Sequence, residues 1–400
     1  MKTNYNEKSK IKIIFYVGTA LTTGRGYENT LLNFCKYLDK SKFNITLIET
    51  DYSPQKRIDD KYINSFLEGI NRIKLKGYKD LPFEGLYSKF SKVPLWAIWR
   101  PLFLSPFINL IIRKKFGIDA IVKELKPDVI YFVDNNDCSI FEKSKATYIG
   151  SNHGMFENVN SIYYKILIKL VATNILFNRI KFFHLFPVNS NLPKILKNKI
   201  CKIIPNGIQI VDYKALSDNR DKNKVKIIYL ASLDKWKGIL LAIDVFLSLP
   251  FSENLEFHIG GDGPLRSFVE KTAKFNKNIK YHGIIKTDSL SEFYEQGDIF
   301  FYPSMGETFG LVVLEAVYHG LFVLAGKNLE GNFDDIEKKG FLEYCNYDKN
   351  RITFSLQNAI SNITNLRGMK TEMKNYVSEN YGWENIVKEL SNLIINAYNK

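Results

Sequence analysis

Along this chain, short runs of apolar residues alternate with stretches whose apolar positions recur at helical spacing. In the first half, residues 10–17, 43–49, 128–133 and 147–150 read as buried strands. The first is followed by a loop with Gly24, Arg25 and Gly26, then by a helix with Leu31, Leu32, Cys35 and Leu38 on one face. In the second half, residues 225–232, 255–260, 279–283, 298–303 and 321–325 read as strands. Helices are predicted after Lys237-Gly238, after Gly263-Pro264, from Asp288 and after Gly310. Another short unit spans 335–344, and residues 383–398 form an amphipathic helix with Ile386, Leu390, Leu393 and Ile394. Residues 51–92 are polar and irregular and give no element. Strand and helix alternating over both halves imply the α/β class, with two parallel sheets.

At 400 residues the chain is too long for one ordinary core and fits two domains. The expected division is 1–210, then 211–380, with a polar linker at 212–224 and a final helix in 381–400 that packs back on the first domain. The most informative stretch is 303–320, a loop that leaves a strand, turns at Gly310 and opens a helix ending near Gly320. Glu307 precedes that helix and Glu315 lies inside it. The first helical turn offers backbone N–H groups and a positive dipole end, which suit a phosphate. Two carboxylates therefore flank an anion site. Glycosidases also use paired carboxylates, but across a scissile bond and not at a helix start.

Composition adds less. The chain is 45% apolar, and 56 Lys+Arg against 42 Asp+Glu give a net charge of +14. The cations are not gathered into one arm and no nucleic-acid motif appears, so nucleic acid is not an expected partner. Cys35, Cys138, Cys201 and Cys345 form no Cys-x-x-Cys pair, which points away from a zinc site or disulfide framework and towards a reducing, cytoplasmic home. Residues 1–10 are polar and do not form a signal peptide. No metal cluster is expected, and Asp134 to Asp137 read as a turn. Residues 93–116 carry Trp96 and Trp99 with flanking cations, and 162–186 interleaves Ile, Leu and Phe with Lys165, Lys169, Arg179 and Lys181. Arg100 and the prolines at 94, 101 and 106 argue against a membrane-spanning helix. Both segments read as lying at an anionic membrane surface, the alternative being core helices with snorkelling lysines.

The stretch Pro303-Ser304, Glu307, Phe309-Gly310-Leu311, Glu315-Ala316 and Gly320 resembles the Glu-x7-Glu signature of the retaining GT-B glycosyltransferases of family 4. Ser232, Leu233, Lys237 and Gly238 resemble that family's G-R-L-x-x-x-K-G, with Ser232 where arginine is usual and Ala231 where glycine is. Gly260, Gly261, Gly263 and Pro264 resemble its G-x-G-P loop, and Gly24-Arg25-Gly26-Tyr27-Glu28 its glycine-rich first loop. Phe322 stands where the family often has proline.

The resemblance implies a GT-B fold, two Rossmann-like domains with parallel sheets facing a central cleft. It also implies a hexose-type sugar moved from a UDP- or GDP-linked donor, with no cofactor, to a glycan or lipid-linked acceptor. Glu307, Lys237 and His153 would be catalytic. Glu315, Gly310, Leu311, Phe309, Ser232, Gly261, Ile285 and Gly26 would bind the donor. Two other readings stay open: a catalytically silent GT-B partner in a glycan-assembly complex, and a GT-B sugar-nucleotide epimerase.

Overall fold

The computed structural model describes residues 10–23, 26–51, 58–77, 105–133, 140–141, 144–152, 180–185, 200–211, 223–250, 253–307 and 309–400. The chain divides into two units, Met1–Pro205 with Ile386–Lys400, and Asn206–Asn385.

The first unit is built on a seven-stranded sheet. Its strands are β1 (Ile11–Val17), β2 (Phe43–Thr50), β3 (Asn71–Leu75), β4 (Val129–Phe132), β5 (Thr147–Asn152), β6 (Ile180–Leu185) and β7 (Ile200–Ile203). They lie in the order β3-β2-β1-β4-β5-β6-β7, and every pairing is parallel. Strands buried on both faces read as continuous apolar runs, as β1 and β4 do. β3 (Asn-Arg-Ile-Lys-Leu) is a half-exposed edge strand, so it carries no such run and falls in the stretch that gave no element.

β6 corrects an expectation. Residues 180–185, grouped by sequence with a membrane-surface segment, form a strand between β5 and β7 with Phe182, Phe183 and His184 buried. The rest of 162–186, like 93–104, lies outside the described residues. In the helix Ser105–Lys115, Ile112 enters the core and Arg113 is nearly buried, 3.7 Å from Asp119. Among the described residues no helix is long and apolar enough to cross a membrane.

His184 is fully buried, and its surroundings fix its tautomer. Nε2 lies 2.9 Å from the Ile204 carbonyl, which only accepts, so Nε2 carries the proton. Nδ1 then accepts from the Tyr131 hydroxyl at 2.6 Å.

The second unit is built on a six-stranded parallel sheet. Its strands are β8 (Val225–Leu230), β9 (Leu255–Gly260), β10 (Ile279–Gly283), β11 (Ile299–Tyr302), β12 (Phe322–Gly326) and β13 (Leu342–Cys345). They lie in the order β10-β9-β8-β11-β12-β13, with one core joining them to the helices. Asp298 closes the lower edge. Arg367 donates to both of its carboxylate oxygens at 2.9 Å, and the Lys226 N–H to one of them at 3.0 Å. The Phe322 N–H donates to the Asp298 carbonyl at 3.1 Å, a bond a proline there would lack. The final helix, Trp383–Tyr398, starts in this unit. From Ile386 onward it belongs to the first, where Lys202 meets Glu389 at 2.7 Å.

Three buried histidines set an acid limit on stability. Burial holds His184, His258 and His319 each down to about 4. An unfolded chain protonates these rings first, near pH 6.5. Their contribution is therefore present above that pH and is lost as pH falls through about 4. Thermal unfolding followed from pH 7.5 to 4.5 is expected to show a falling Tm below about 6.5. A flat Tm across that window contradicts neutral buried rings.

Candidate active site

The strand order of the second unit reverses between β8 and β11. Chain leaving these neighbouring strands moves apart, and the gap outside their carboxyl ends is where such sheets bind ligands. Two loops border it. Residues 231–238 follow β8 and end in a single tight turn, Lys235–Lys237, and Gly238 at φ 77°. Residues 303–310 follow β11 and end at Gly310, φ 86°, which starts the helix Leu311–Tyr318.

The loops touch along their backbones. A Cβ on Gly238 would stand 2.0 Å from the Pro303 carbonyl oxygen, so only glycine fits. The Met305 N–H donates to the Trp236 carbonyl at 2.7 Å, and the Ser304 hydroxyl to the same oxygen at 3.2 Å. From the other side, the Tyr347 hydroxyl donates to the Ser304 carbonyl at 2.9 Å.

This contact brings two of the expected catalytic residues together. Lys237 Nζ lies 2.6 Å from Glu307 Oε2, with 24% and 19% of the two side chains exposed. The Tyr302 hydroxyl donates to the same oxygen at 2.7 Å. Beside them the Leu311–Tyr318 helix begins at Gly310, which has no side chain to cap it. Phe309 is buried against Phe333, and its carbonyl accepts from Asn332 Nδ2 at 3.2 Å. Leu311 is half-buried in the first turn. Glu315, one turn further on, accepts from the Tyr294 hydroxyl at 3.0 Å. Burial raises its carboxyl above the ordinary value, and the Tyr294 bond works against that rise.

The glycine loop after β9 packs beneath the β8 loop. Gly261 has φ 127°, and a Cβ there would stand 1.8 Å from the Ala231 carbonyl oxygen. The Leu233 N–H donates to the Asp262 carbonyl at 2.9 Å. Ser232, where the resemblance expects arginine, is exposed, and Ile285 packs its side chain over Gly260. In the first unit, Gly26 opens the helix Gly26–Tyr37 and is exposed, and among the described residues no atom beyond its chain neighbours and its own helix backbone lies within 4 Å of a notional Cβ. His153 and Arg25 lie outside the described residues, as does Thr308. Among the described residues no three His, Cys, Asp or Glu side chains converge as metal ligands would.

Sequence reasoning missed Tyr302, Tyr294 and Tyr347. Tyr302 and Tyr294 are buried and read as core, while Tyr347 is exposed just beyond β13. The available signal was the hydroxyl itself, since a buried tyrosine needs a partner for it.

Residues 215–379 match the family Glycosyl transferases group 1. A phosphatidylinositol N-acetylglucosaminyltransferase subunit of Schizosaccharomyces pombe is 23% identical over 205 residues, 50% of this chain and 44% of that protein. The chain spans about half the length of the first curated relatives it matches, 57% and 44%. Among solved structures, a sucrose-phosphate synthase from Thermosynechococcus elongatus superposes with TM-score 0.71 at 13% identity, over 98% of this chain and 100% of that one. Anabaena HepE in complex with UDP-glucose superposes with TM-score 0.63 at 14% identity, over 96% and 100%. The two parallel α/β units are those of the GT-B fold.

Two glycines separate packing from ligand access. Gly261→Ala is expected to cost at least ~1–3 kcal/mol of stability, because its backbone is strained for any other residue and its space is filled. Gly26→Ala is expected to leave Tm unchanged, since none of the described residues crowds the added methyl. Denaturant unfolding of both variants checks this, and equal effects contradict the assignment.

Proposed function

We propose that this chain, whose residues 215–379 match the glycosyl transferases group 1 family, is a retaining glycosyltransferase. It moves a hexose-type sugar from a UDP- or GDP-linked donor to a glycan or lipid-linked acceptor. The observation that carries the reading is the Lys237–Glu307 pair, 2.6 Å apart beside the uncapped start of the Leu311–Tyr318 helix. A cation, a carboxylate and a helix N-terminus at one sheet edge match the parts of a sugar diphosphate. The HepE complex, named with UDP-glucose, supports a sugar nucleotide as donor. The yeast relative, named for phosphatidylinositol, supports a lipid-borne acceptor.

In this reading the diphosphate lies on the N–H groups at Gly310-Leu311, and the Lys237 ammonium turns from Glu307 to phosphate. Glu307 then accepts from hydroxyls of the transferred sugar, and Glu315 from the ribose diol. Gly261 and Ile285 border the nucleoside. Charge grows on the leaving diphosphate as the glycosidic bond breaks, so a cation there counts for more in the transition state than in the ground state. With Ser232 in place of arginine, Lys237 carries most of that task.

A second reading is a catalytically silent partner in a glycan-assembly complex, and exposed Ser232 favours it because one cation of the usual clamp is missing. A thermal-shift screen of UDP- and GDP-sugars, followed by assays of donor hydrolysis and transfer, separates the two. Donor binding without turnover supports the silent partner.

With the donor so identified, Lys237→Ala is expected to lower turnover by at least about 10²-fold. Glu307→Ala mainly lowers kcat, and Glu315→Ala weakens donor binding by about 1.5–3 kcal/mol. Ser232→Arg is tolerated or activating. Wild-type turnover in Lys237→Ala places phosphate stabilisation elsewhere.

The lipid-linked acceptor implies docking on a membrane from the cytoplasmic side. Leu110, Lys114 and Lys115 are exposed on the Ser105–Lys115 helix, and the chain carries +14 overall. Sedimentation with anionic liposomes is expected at low salt and is lost at high salt. No binding to anionic vesicles at low salt argues against a membrane surface as partner.

A further inference from the structure

Beneath the candidate site lies a row of four buried aromatic rings, three of them tyrosines whose hydroxyls bond site residues. Tyr294, Phe300 and Tyr302 follow one another with ring centroids 5.8 Å apart at each step, and Tyr229 lies 6.2 Å beyond Tyr302. All three tyrosines are fully buried. Tyr302 donates to Glu307 Oε2 at 2.7 Å, Tyr294 to Glu315 Oε2 at 3.0 Å, and Tyr229 to the Lys237 carbonyl at 3.1 Å. Each of the two glutamates is thus tied by one oxygen to a ring that packing holds rigid.

We propose that Tyr302 and Tyr294 are positioning residues, Tyr302 fixing Glu307 for the transferred sugar and Tyr294 fixing Glu315 for the nucleoside. The proposal rests on the sugar-nucleotide reading of this site and adds to it how the two carboxylates are held. A carboxylate on a flexible side chain loses rotamer freedom when it binds a hydroxyl, and a fixed donor removes that cost before the ligand arrives. Burial pushes both phenols well above their ordinary range, so each stays protonated and serves as a donor only. The glutamates then supply the acceptors in both bonds.

The roles of the two rings are separable. Loss of the Tyr302 hydroxyl loosens Glu307 and acts on the chemical step. Loss of the Tyr294 hydroxyl loosens Glu315 and acts on donor binding, with a shift in pH dependence as well. Glu315 already sits above the ordinary carboxylate value, and the Tyr294 bond is what pulls it down. Removing that bond raises it further, so protonation of Glu315 begins at higher pH. Other titratable groups here are His319, whose ring stacks on Tyr294 at 5.3 Å and whose pKa burial holds to about 4, Glu295 at 3.6 Å from that ring, Lys374 and Tyr302. None changes identity in the variant.

The test uses the full chain with Tyr302→Phe, Tyr294→Phe and, as control, Tyr381→Phe. Tyr381 is a buried tyrosine of the same unit that donates to Asp335 at 2.7 Å. Readouts are UDP and GDP affinity by calorimetry from pH 5 to 8, and kcat and KM with the sugar nucleotide the wild type turns over. Tyr302→Phe is expected to lower kcat about tenfold with KM and nucleotide affinity within about twofold. Tyr294→Phe is expected to weaken nucleotide affinity about tenfold and to move the acid limb of binding upward. Comparison with the wild type at each pH cancels the nucleotide's own titration. Tyr381→Phe is expected to change Tm alone.

Wild-type activity with both site variants unchanged overturns the positioning roles and leaves the functional reading standing. So does an equal fall in kcat and affinity in all three variants with lowered Tm, which marks a general loss of packing. A wild type that neither binds UDP or GDP nor turns over any sugar nucleotide overturns the functional reading, and the positioning roles fall with it.

Discussion

The site depends on how closely two backbones approach. Gly238 lies against Pro303 with no room for a side chain, and the Met305 N–H reaches the Trp236 carbonyl at 2.7 Å. Any Cβ at 238 would clash with backbone, which cannot swing aside as a side chain would. That contact fixes where Lys237 and Glu307 begin. From there the two side chains reach one another, Nζ lying 2.6 Å from Oε2. The same device recurs nearby, where Gly326 meets the Ser304 carbonyl and Gly261 meets that of Ala231. Glycine here serves close packing of loops at least as much as access for a ligand.

Electrostatics follow from this framework. Lys237 and Glu307 neutralise one another in a partly buried place, with Tyr302 supplying a second donor to the carboxylate. Such a pair is preorganised without leaving a lone charge away from water, which would be costly. Glu315 differs: among the described residues no cation faces it, the Tyr294 bond only partly offsets burial, and its carboxyl is raised. Two glutamates of one motif therefore sit in different electrical surroundings, one balanced by a cation and one by a neutral donor. That difference suits unlike tasks at the two ends of a sugar nucleotide.

Much of the second unit was legible along the chain. The bounds of β9, β10 and the Trp383–Tyr398 helix agree with the periodicity, because each is an apolar run or an apolar stripe closed by clear stop signals. The first unit was less legible. β3 is polar because it lies at an edge, and β6 carries Lys181 among its apolar residues at the end of a stretch, 162–186, in which cations and apolar residues alternate. The burial of His184 inside β6 depends on the Tyr131 hydroxyl and the Ile204 carbonyl, which are distant in sequence and meet it only in the folded sheet.

The sequence by itself determined the α/β class, the parallel sheets and the stretch that bears the two glutamates. These rest on local properties, namely period, turn residues and the glycines that positive φ demands. Only the tertiary structure decided that Lys237 pairs with Glu307, that Tyr302 and Tyr294 each hold one glutamate, and that Gly261 is filled by Ala231 rather than left open. These are contacts between residues brought together by the strand order. The meeting of the loops after β8 and β11 is set by the pairing of those two strands, which no local window of sequence contains.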